Sequence, residues 1–466
     1  MAKRKLNSKT EVRKTASPTT PAVALQLRRV TVAGLFNTFD YDITFPTPSE
    51  EVSQPSVVIL HGRNGVGKTT LLRMLDGMMR LDFNTFRRVP FRSCTLSFTS
   101  GDSITVAPKI GSRGLEYLEV KYREHSALLH PERSGSLSEK EAVKVEEFRN
   151  AFFESTQTIS FEFINTERMY QVHLEEPDPS NAAFQQEFVV ASGQGRYQMH
   201  AVSPRHIVPV PRNPKAKDPG TARSLAERVA HFIRDAQVNY RRFFSATEPD
   251  LFARIIEGLT AAPSRKVTAD AVKTRLSAIH SQDLQTSRLG LEPDRWDYKQ
   301  LVAQLDSLAN KKGSVRQHAL TVLASYAEVL ESRAAERHLV AERLFTFERL
   351  LTAFFVDKTV SPNASAGILI RTRAGQLLKE SQLSSGEFHL LFLMVAALVT
   401  RRRGTVIAID EPEMSMHIGW QRKLVPALVE CASKAQPLFI LATHSPDIAA
   451  TYPDAMVELA PPASGE

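Results

Sequence analysis

Val57-Val58-Ile59-Leu60-His61-Gly62-Arg63-Asn64-Gly65-Val66-Gly67-Lys68-Thr69-Thr70-Leu71-Leu72 is the stretch that decides the fold. Its first four residues form a continuous apolar run, as a parallel strand buried on both faces requires. A glycine-rich turn follows, and then a helix carrying Leu71, Leu72 and Leu75. The turn fits G-x-x-x-x-G-K-[ST] in the strand-before, helix-after context that the motif demands. Glycines let backbone N–H groups approach phosphate oxygens without a Cβ clash, and the helix N-terminus adds partial positive charge. Gly62, Asn64, Gly65, Gly67 and Thr70 are thereby expected to surround a nucleotide's phosphates. Lys68 is expected to reach the β- and γ-phosphates, and Thr69 to ligate Mg²⁺. A chance glycine-rich turn is the bland alternative, which the flanking elements disfavour.

Three later segments complete the pattern. Val406-Ile407-Ala408-Ile409 reads as a second buried strand and ends in Asp410-Glu411. Two carboxylates at a buried strand end are costly unless a cation or a water needs them. Asp410 is placed to hold the Mg²⁺ hydration shell and Glu411 to polarise the attacking water; otherwise the pair merely opens a turn at Pro412. Leu438-Phe439-Ile440-Leu441 is a third buried strand, followed by Thr443-His444-Ser445-Pro446. His444 there can bond a γ-phosphate, although a lone strand-end histidine is more often a satisfied polar group. Leu383-Ser384-Ser385-Gly386-Glu387 opens an apolar helix. Ser384 or Ser385 caps it, and a simple N-cap explains the segment by itself. A Ser-Gly helix start is also an anion site, and it would meet the γ-phosphate held by a second subunit.

The rest of the chain falls into four stretches. Residues 1–22 are basic and nearly devoid of apolar residues, and read as a disordered tail. It is either a solvated tail or a nucleic-acid-binding arm. Residues 23–220 form the first half of an α/β head with a β-rich insertion. Leu25 to Val32 alternates like an edge strand, Gly101-Asp102 marks a hairpin turn, a polar helix runs near Ser136–Phe153, and Pro204 to Pro219 reads as a linker. Residues 221–356 form a helical arm. Leu225, Val229, Phe232, Ala236, Tyr240 and Phe243 mark one apolar face, and Val340, Leu344, Phe347, Leu351 and Phe354 a second. Lys311-Lys312-Gly313 is a break between helices. Residues 357–466 return to strand grammar. The order describes one discontinuous α/β head interrupted by an arm.

The bulk numbers set limits. The 466 residues can bury a large core, and the composition, 42% hydrophobic and 24% charged, is that of a soluble globular protein. The longest apolar run, Leu390 to Val399, is far short of the roughly 20 residues of a membrane span. Nothing resembling a signal peptide opens the chain, and a cytoplasmic protein with no membrane partner is expected. Two cysteines, Cys94 and Cys431, fit a reducing compartment. The net charge is +8, most of it in the first 22 residues. It permits a nucleic-acid partner without requiring one. Arg401-Arg402-Arg403 reads as basic residues on a helix C-terminus, and Arg241-Arg242 and Lys311-Lys312 as a solvated face or a nucleic-acid contact.

Together the phosphate loop, Leu383-Ser384-Ser385-Gly386-Glu387, Asp410-Glu411-Pro412-Glu413 and Thr443-His444-Ser445-Pro446 resemble the ATP-binding-cassette superfamily. The resemblance is strongest to its RecF-like, overcoming-lysogenization-defect-like branch, in which Glu-Pro-Glu followed by a nearby histidine, here His417, is typical. It covers roughly residues 24–200 and 366–450. It implies an ABC-type ATPase head with a phosphate-loop core in a mixed β-sheet, ATP and Mg²⁺ as cofactors, and an oligomer, at least a head-to-tail dimer. Glu411 and His444 would be catalytic, Thr69 and Asp410 would hold the metal, and Ser384, Ser385 and Gly386 would meet the partner's nucleotide. The glutamine of the usual Mg²⁺-sensing loop has no clear counterpart, although Phe163 to Arg168 resembles the strand that leads to it. Phe36, Phe39 and Tyr41 are candidates for the adenine platform, and core packing explains them equally well.

Missing features separate the subfamilies. The chain lacks the long heptads of chromosome-organising members, the CxxC of zinc-hook ATPases and the acidic nuclease domain that fused members carry after the switch histidine. A stand-alone, short-armed ATPase remains. It resembles the ATPase subunits of PARIS-type and Septu-like antiphage systems, which implies a separately encoded effector nuclease or toxin as partner. The competing reading is an ATP-gated DNA clamp of RecF type. A scaffold that binds ATP without turnover is a third, disfavoured by the intact Glu411.

Overall fold

The computed structural model describes residues 25–46, 56–110, 116–129, 139–156, 159–165, 224–260, 267–291, 296–309 and 314–460. The basic tail, the Pro204–Pro219 linker, Lys311-Lys312-Gly313, the stretch from Thr166 to Arg168 and the side chains of Arg242 and Phe243 lie outside the described residues.

Five strands form a parallel sheet in the order β14 (Met456–Glu458), β3 (Ser56–His61), β13 (Leu438–Thr443), β12 (Val406–Asp410), β8 (Phe161–Asn165). Every residue of β12 and β13 is buried. Successive strand residues point to opposite faces, so each apolar run feeds two cores at once. Val58, Leu60, Val406, Ala408, Leu438 and Ile440 enter one core. Val57, Ile59, Ile407, Ile409, Phe439 and Leu441 enter the other.

The first core is closed by helix α1 (Lys68–Arg80), α2 (Asn84–Arg88) and α3 (Glu139–Thr156), and by an antiparallel sheet. That sheet runs β2 (Phe39–Thr44), β1 (Leu27–Leu35), β4 (Ser93–Phe98), β5 (Ser103–Ile110), β6 (Glu116–Tyr122), β7 (His125–Leu129). Parallel and antiparallel pairing thus fall in separate sheets. β1 is not an edge strand, because it pairs with β2 on one side and β4 on the other. Its alternation reports one dry and one wet face, which interior strands of an antiparallel sheet share with edge strands. The Gly101-Asp102 hairpin forms as expected, with Gly101 at φ +90°.

The second core gathers the helices of the other face: α4 (Leu225–Thr260), α7 (Ser314–Phe354), α8 (Ser385–Val399) and α9 (Ile418–Ala432). Both predicted arm faces reach this core. Leu225, Val229 and Phe232 of α4 pack with Leu344, Phe347, Leu351 and Phe354 of α7. The base of the arm is therefore part of the head. Further out, α5 (Ala269–Ser287) and α6 (Tyr298–Ala309) fold back on α7 around Val272, Leu276, Ile279, Leu305 and Leu320, a third core. A three-stranded antiparallel sheet, β9 (Lys358–Asn363), β10 (Gly367–Thr372) and β11 (Leu377–Leu378), joins the arm base to α8. The remaining helix, α10 (Pro446–Ala449), is one turn long. No helix among the described residues is long and apolar enough to cross a membrane.

The arm is tied to both ends of α8. At its start, the Glu380 carboxylate accepts hydrogen bonds from the backbone N–H groups of Leu225 and Ala226, which open α4. At its end, Arg343 of α7 donates to the carbonyls of Leu398 and Thr400. Arg401-Arg402-Arg403 directly follow that C-terminus, as the sequence predicts, and Arg401 donates to Phe232 O at 2.8 Å and pairs with Asp235. The orphan carbonyls of a helix end need a donor, and here it comes from a half-buried arginine 55 positions away in sequence. Replacing Arg343 by Leu should leave both carbonyls unpaired and cost about 2–4 kcal/mol. Urea unfolding followed by circular dichroism measures this; a loss below about 0.5 kcal/mol would show that the cap is dispensable.

Candidate nucleotide site

The carboxyl ends of the parallel strands share one edge. Asn165 pairs with Asp410, Asp410 with Ala442, and Thr443 with His61. Loops leaving that edge form the crevice in which open α/β sheets bind ligands. The first is Gly62 to Gly67. Gly67 is the N-cap of α1 at φ +93°, and a Cβ there would come within 2.8 Å of Leu35 and 3.1 Å of Phe36. The Tyr41 hydroxyl donates to Val66 O at 2.6 Å. Phe39 stacks on Tyr41 at 5.9 Å. Tyr41 is thus a buried prop beneath the loop, and Phe36 packs against Gly67; only Phe39 of the three aromatic candidates is without a direct loop contact in these interactions. Arg63, Asn64 and Gly65 are exposed. No side chain caps the start of α1 and no acidic residue lies in its first turn. Its leading N–H groups are open to an anion.

Lys68 fills the loop. Its side chain is buried, donates to Gly62 O at 2.9 Å and lies 2.7 Å from His444 Nε2. Burial lowers its pKa, against the opposing charges of Glu411, Asp410 and Glu413. Thr69 Oγ1 donates to Asp410 Oδ1 at 2.9 Å, across 341 residues of sequence. The two expected metal ligands are therefore side by side. Thr70 faces a separate cavity of about 420 Å³ beside α1, shared with Arg73, Arg88, Phe163 and Asn165.

Glu411 sits just past β12 at φ +51°, unusual for a residue with a side chain. Its backbone N–H is held by Ala442 O at 2.8 Å, and its Oε1 is 3.1 Å from His444 Nε2. Burial, then the carboxyl groups of Glu413 and Asp410, push its pKa up to about 8. Burial and the Lys68 ammonium hold His444 below the ordinary histidine range.

Ser384, and not Ser385, is the N-cap of α8. Its Oγ accepts from Glu387 N, while Glu387 reaches back to Ser384 N at 2.9 Å, a complete capping box. Lys358 pairs with Glu387 at 2.6 Å. Ser384 and Ser385 are exposed, and among the described residues no hydrogen bond links them to the phosphate loop. Gly386 is buried, and a Cβ on it would lie 2.4 Å from Ser415 O. The glycine is therefore required by close backbone packing whatever the segment binds. His417 caps α9 by accepting from Gly419 N at 3.1 Å.

Two residues gain a place that sequence reasoning did not assign. Asn165 stands level with Asp410 at the end of β8. Glu413 Oε1 accepts from the backbone N–H groups of His444 at 2.8 Å and Ser445 at 3.0 Å. Glu413 was visible in the Glu-Pro-Glu segment, but nothing in the spacing says that its side chain folds back onto the next loop. The site fits a nucleotide with Mg²⁺: an uncapped helix N-terminus, a desolvated lysine, and a hydroxyl–carboxylate pair of the hard oxygen type that Mg²⁺ prefers.

The family described as "AAA domain, putative AbiEii toxin, Type IV TA system" matches residues 224–450. That stretch contains Ser384, Asp410 and His444, while the phosphate loop precedes it. No curated protein matches the sequence. Similar solved structures include the Smc head domain with an extended coiled coil bound to the C-terminal domain of ScpA, from Pyrococcus furiosus, at 9% identity over 92% of each chain with a TM-score of 0.39. The SMC head domain from Thermotoga maritima matches at 10% identity over 91% of this chain and 92% of that one, with a TM-score of 0.32.

The raised Glu411 pKa has a thermodynamic consequence. Between the usual glutamate range and pH 8 the unfolded chain releases a proton that the folded chain keeps. Stability therefore falls as pH rises through that window. Glu411→Gln removes the difference. In nucleotide- and metal-free protein it should raise Tm by about 3 °C at pH 8 and by much less at pH 5. Scanning calorimetry at the two pH values measures it; an equal shift at both would mean that Glu411 is ionised in the folded state.

Proposed function

We propose that this chain is an ABC-type ATPase that binds ATP with Mg²⁺, closes on a second copy of itself and hydrolyses the nucleotide. The observation that carries the reading is the meeting of Thr69, Lys68, Asp410 and His444 at the carboxyl edge of one parallel sheet. The Gly62–Gly67 backbone and the first turn of α1 would cradle the phosphates. Lys68, already stripped of water, would exchange its bonds to Gly62 O and His444 for the β- and γ-phosphates. Thr69 and Asp410 would separate around the metal, which when bound neutralises charge developing on the phosphoryl oxygens. Glu411, once ionised, would orient and deprotonate the attacking water. His444 is close enough to Lys68 and Glu411 to report an occupied site. Ser384, Ser385 and the N-terminus of α8 would meet the nucleotide of the second copy. Their exposure and their lack of a bond to their own phosphate loop support that role.

The ATPase would serve as a sensor in prokaryotic antiphage defence, its closure controlling a separately encoded effector nuclease or toxin. The matched family, whose description names a toxin and a type IV TA system, supports this class of role. Lys68→Ala is expected to weaken ATP binding on the order of 100-fold. Glu411→Gln is expected to keep ATP affinity within about threefold, lower turnover on the order of 10²- to 10³-fold and trap a dimer in ATP, read by light scattering. Unchanged turnover in Glu411→Gln would refute the catalytic assignment. A pull-down of ATP-loaded Glu411→Gln protein from the native cells, with and without nuclease, tests the biology. A protein partner that survives nuclease supports the defence role. DNA as sole partner, lost on nuclease treatment, would replace it with an ATP-gated DNA clamp.

A further inference from the structure

Resting on the ATPase reading, we infer that Glu413 is a positioning residue: it holds the His444 loop against Glu411 and couples it to the helix that Ser384 opens. Three carboxyl groups, Asp410, Glu411 and Glu413, fall within four residues of chain. If Glu413 only had to cap the end of β13, a neutral acceptor would serve without adding negative charge beside the other two. Its geometry is specific. Oε1 accepts from the first backbone donor past the strand, His444 N, and shares the next, Ser445 N, with Thr443 Oγ1. Oε2 is buried with no hydrogen-bond donor among the described residues.

The backbone around Glu413 is constrained on both sides. Glu411 and Ser415 hold φ at +51° and +59°, a region that costs residues with side chains free energy and that persists only where the surroundings enforce it. Glu411 N is held by Ala442 O of β13, and the contacts that hold the Ser415 end come from α8. The buried His389 ring donates from Nδ1 to Met414 O at 2.9 Å, and Ser415 O rests on Gly386. The segment Glu411–Ser415 is thus pinned to the Ser384 helix by its backbone and to the His444 loop by one side chain. A displacement of α8, whose Ser384 end is read as the contact to the partner's nucleotide, would reach His444 through Glu413.

The test uses the full-length chain. Glu413→Ala should lower kcat on the order of 100-fold, since two charge-assisted bonds are lost, while the Kd for ATP stays within about threefold. Glu413→Gln, whose amide oxygen can accept both N–H groups, should recover kcat to within about tenfold of the parent. In a His444→Ala background, Glu413→Ala should cost less than about threefold more, because a residue acting through His444 has nothing left to position. Hydrogen exchange of the nucleotide-free proteins supplies a readout independent of turnover. Glu413→Ala should lose protection about tenfold or more at His444, with less change at Ser445, which keeps Thr443 Oγ1 as acceptor, and none in β12 and β3. Multiplicative losses in the His444→Ala background, unchanged protection, or Glu413→Gln no better than Glu413→Ala would each overturn the inference. If the parent and Glu411→Gln hydrolyse ATP equally, the ATPase reading falls and the catalytic role of Glu413 with it. A parent that loses turnover on Glu411→Gln but not on Glu413→Ala retires the Glu413 inference alone.

Discussion

Parallel pairing of β3, β13 and β12 is the constraint on which the rest of the site depends. The register that sets Thr443 opposite His61 and Asp410 opposite Ala442 brings the end of β3 to one edge with the ends of β12 and β13, hundreds of residues later in the chain. Lys68 is then surrounded by Asp410, Glu411, Glu413 and His444, and charge does the remainder. Burial costs the ammonium part of its hydration, the carboxyl groups return part of it, and burial also raises the Glu411 pKa. A cluster of this kind, with Lys68 and Asp410 buried and His444 exposed at its rim, fits a polyanion with a divalent cation, because each partner can release its present bonds for a stronger one.

The parallel sheet also divides the molecule. One face packs on α1 and the antiparallel sheet and holds the phosphate loop rigid from beneath, through Tyr41, Leu35 and Phe36. The other face packs on α4, α7, α8 and α9 and carries the base of the arm. Nucleotide chemistry and arm thus meet across a single layer of strands. α8 is the member common to both: its first turn is the Ser384 capping box, its middle holds Met414 through His389, and its last carbonyls are held by Arg343 of the arm. A rigid element anchored at three points is suited to carry a displacement from one end of the head to the other.

The elements that sequence reading recovered best are those whose pattern is local. The runs Val57–Leu60, Val406–Ile409 and Leu438–Leu441 have no polar face to hide, and all three are central strands. The Gly101 hairpin and the α4 and α7 faces were equally legible, since turn chemistry and 3.6-residue periodicity act within a few residues. β1 was misplaced to an edge because alternation reports how many faces are wet and not how many neighbours a strand has. Arg401–Arg403 mark the end of α8 in the sequence, but the donor to its last carbonyls, Arg343, arrives from another helix and leaves no local signal.

The sequence by itself determined the local chemistry: a phosphate loop between a strand and a helix, carboxylates and a histidine at strand ends, and a serine-capped helix start. Each depends on residues within a few positions of one another, so spacing suffices to specify it. Tertiary structure alone decided which of these groups touch. The pairing of Thr69 with Asp410, the lysine–histidine–glutamate contact, the folding back of Glu413 onto His444 and the packing of Gly386 on Ser415 all follow from strand register and helix docking. Those are set by burying two apolar faces of one sheet at once, a condition distributed over the whole chain and written in no single segment of it.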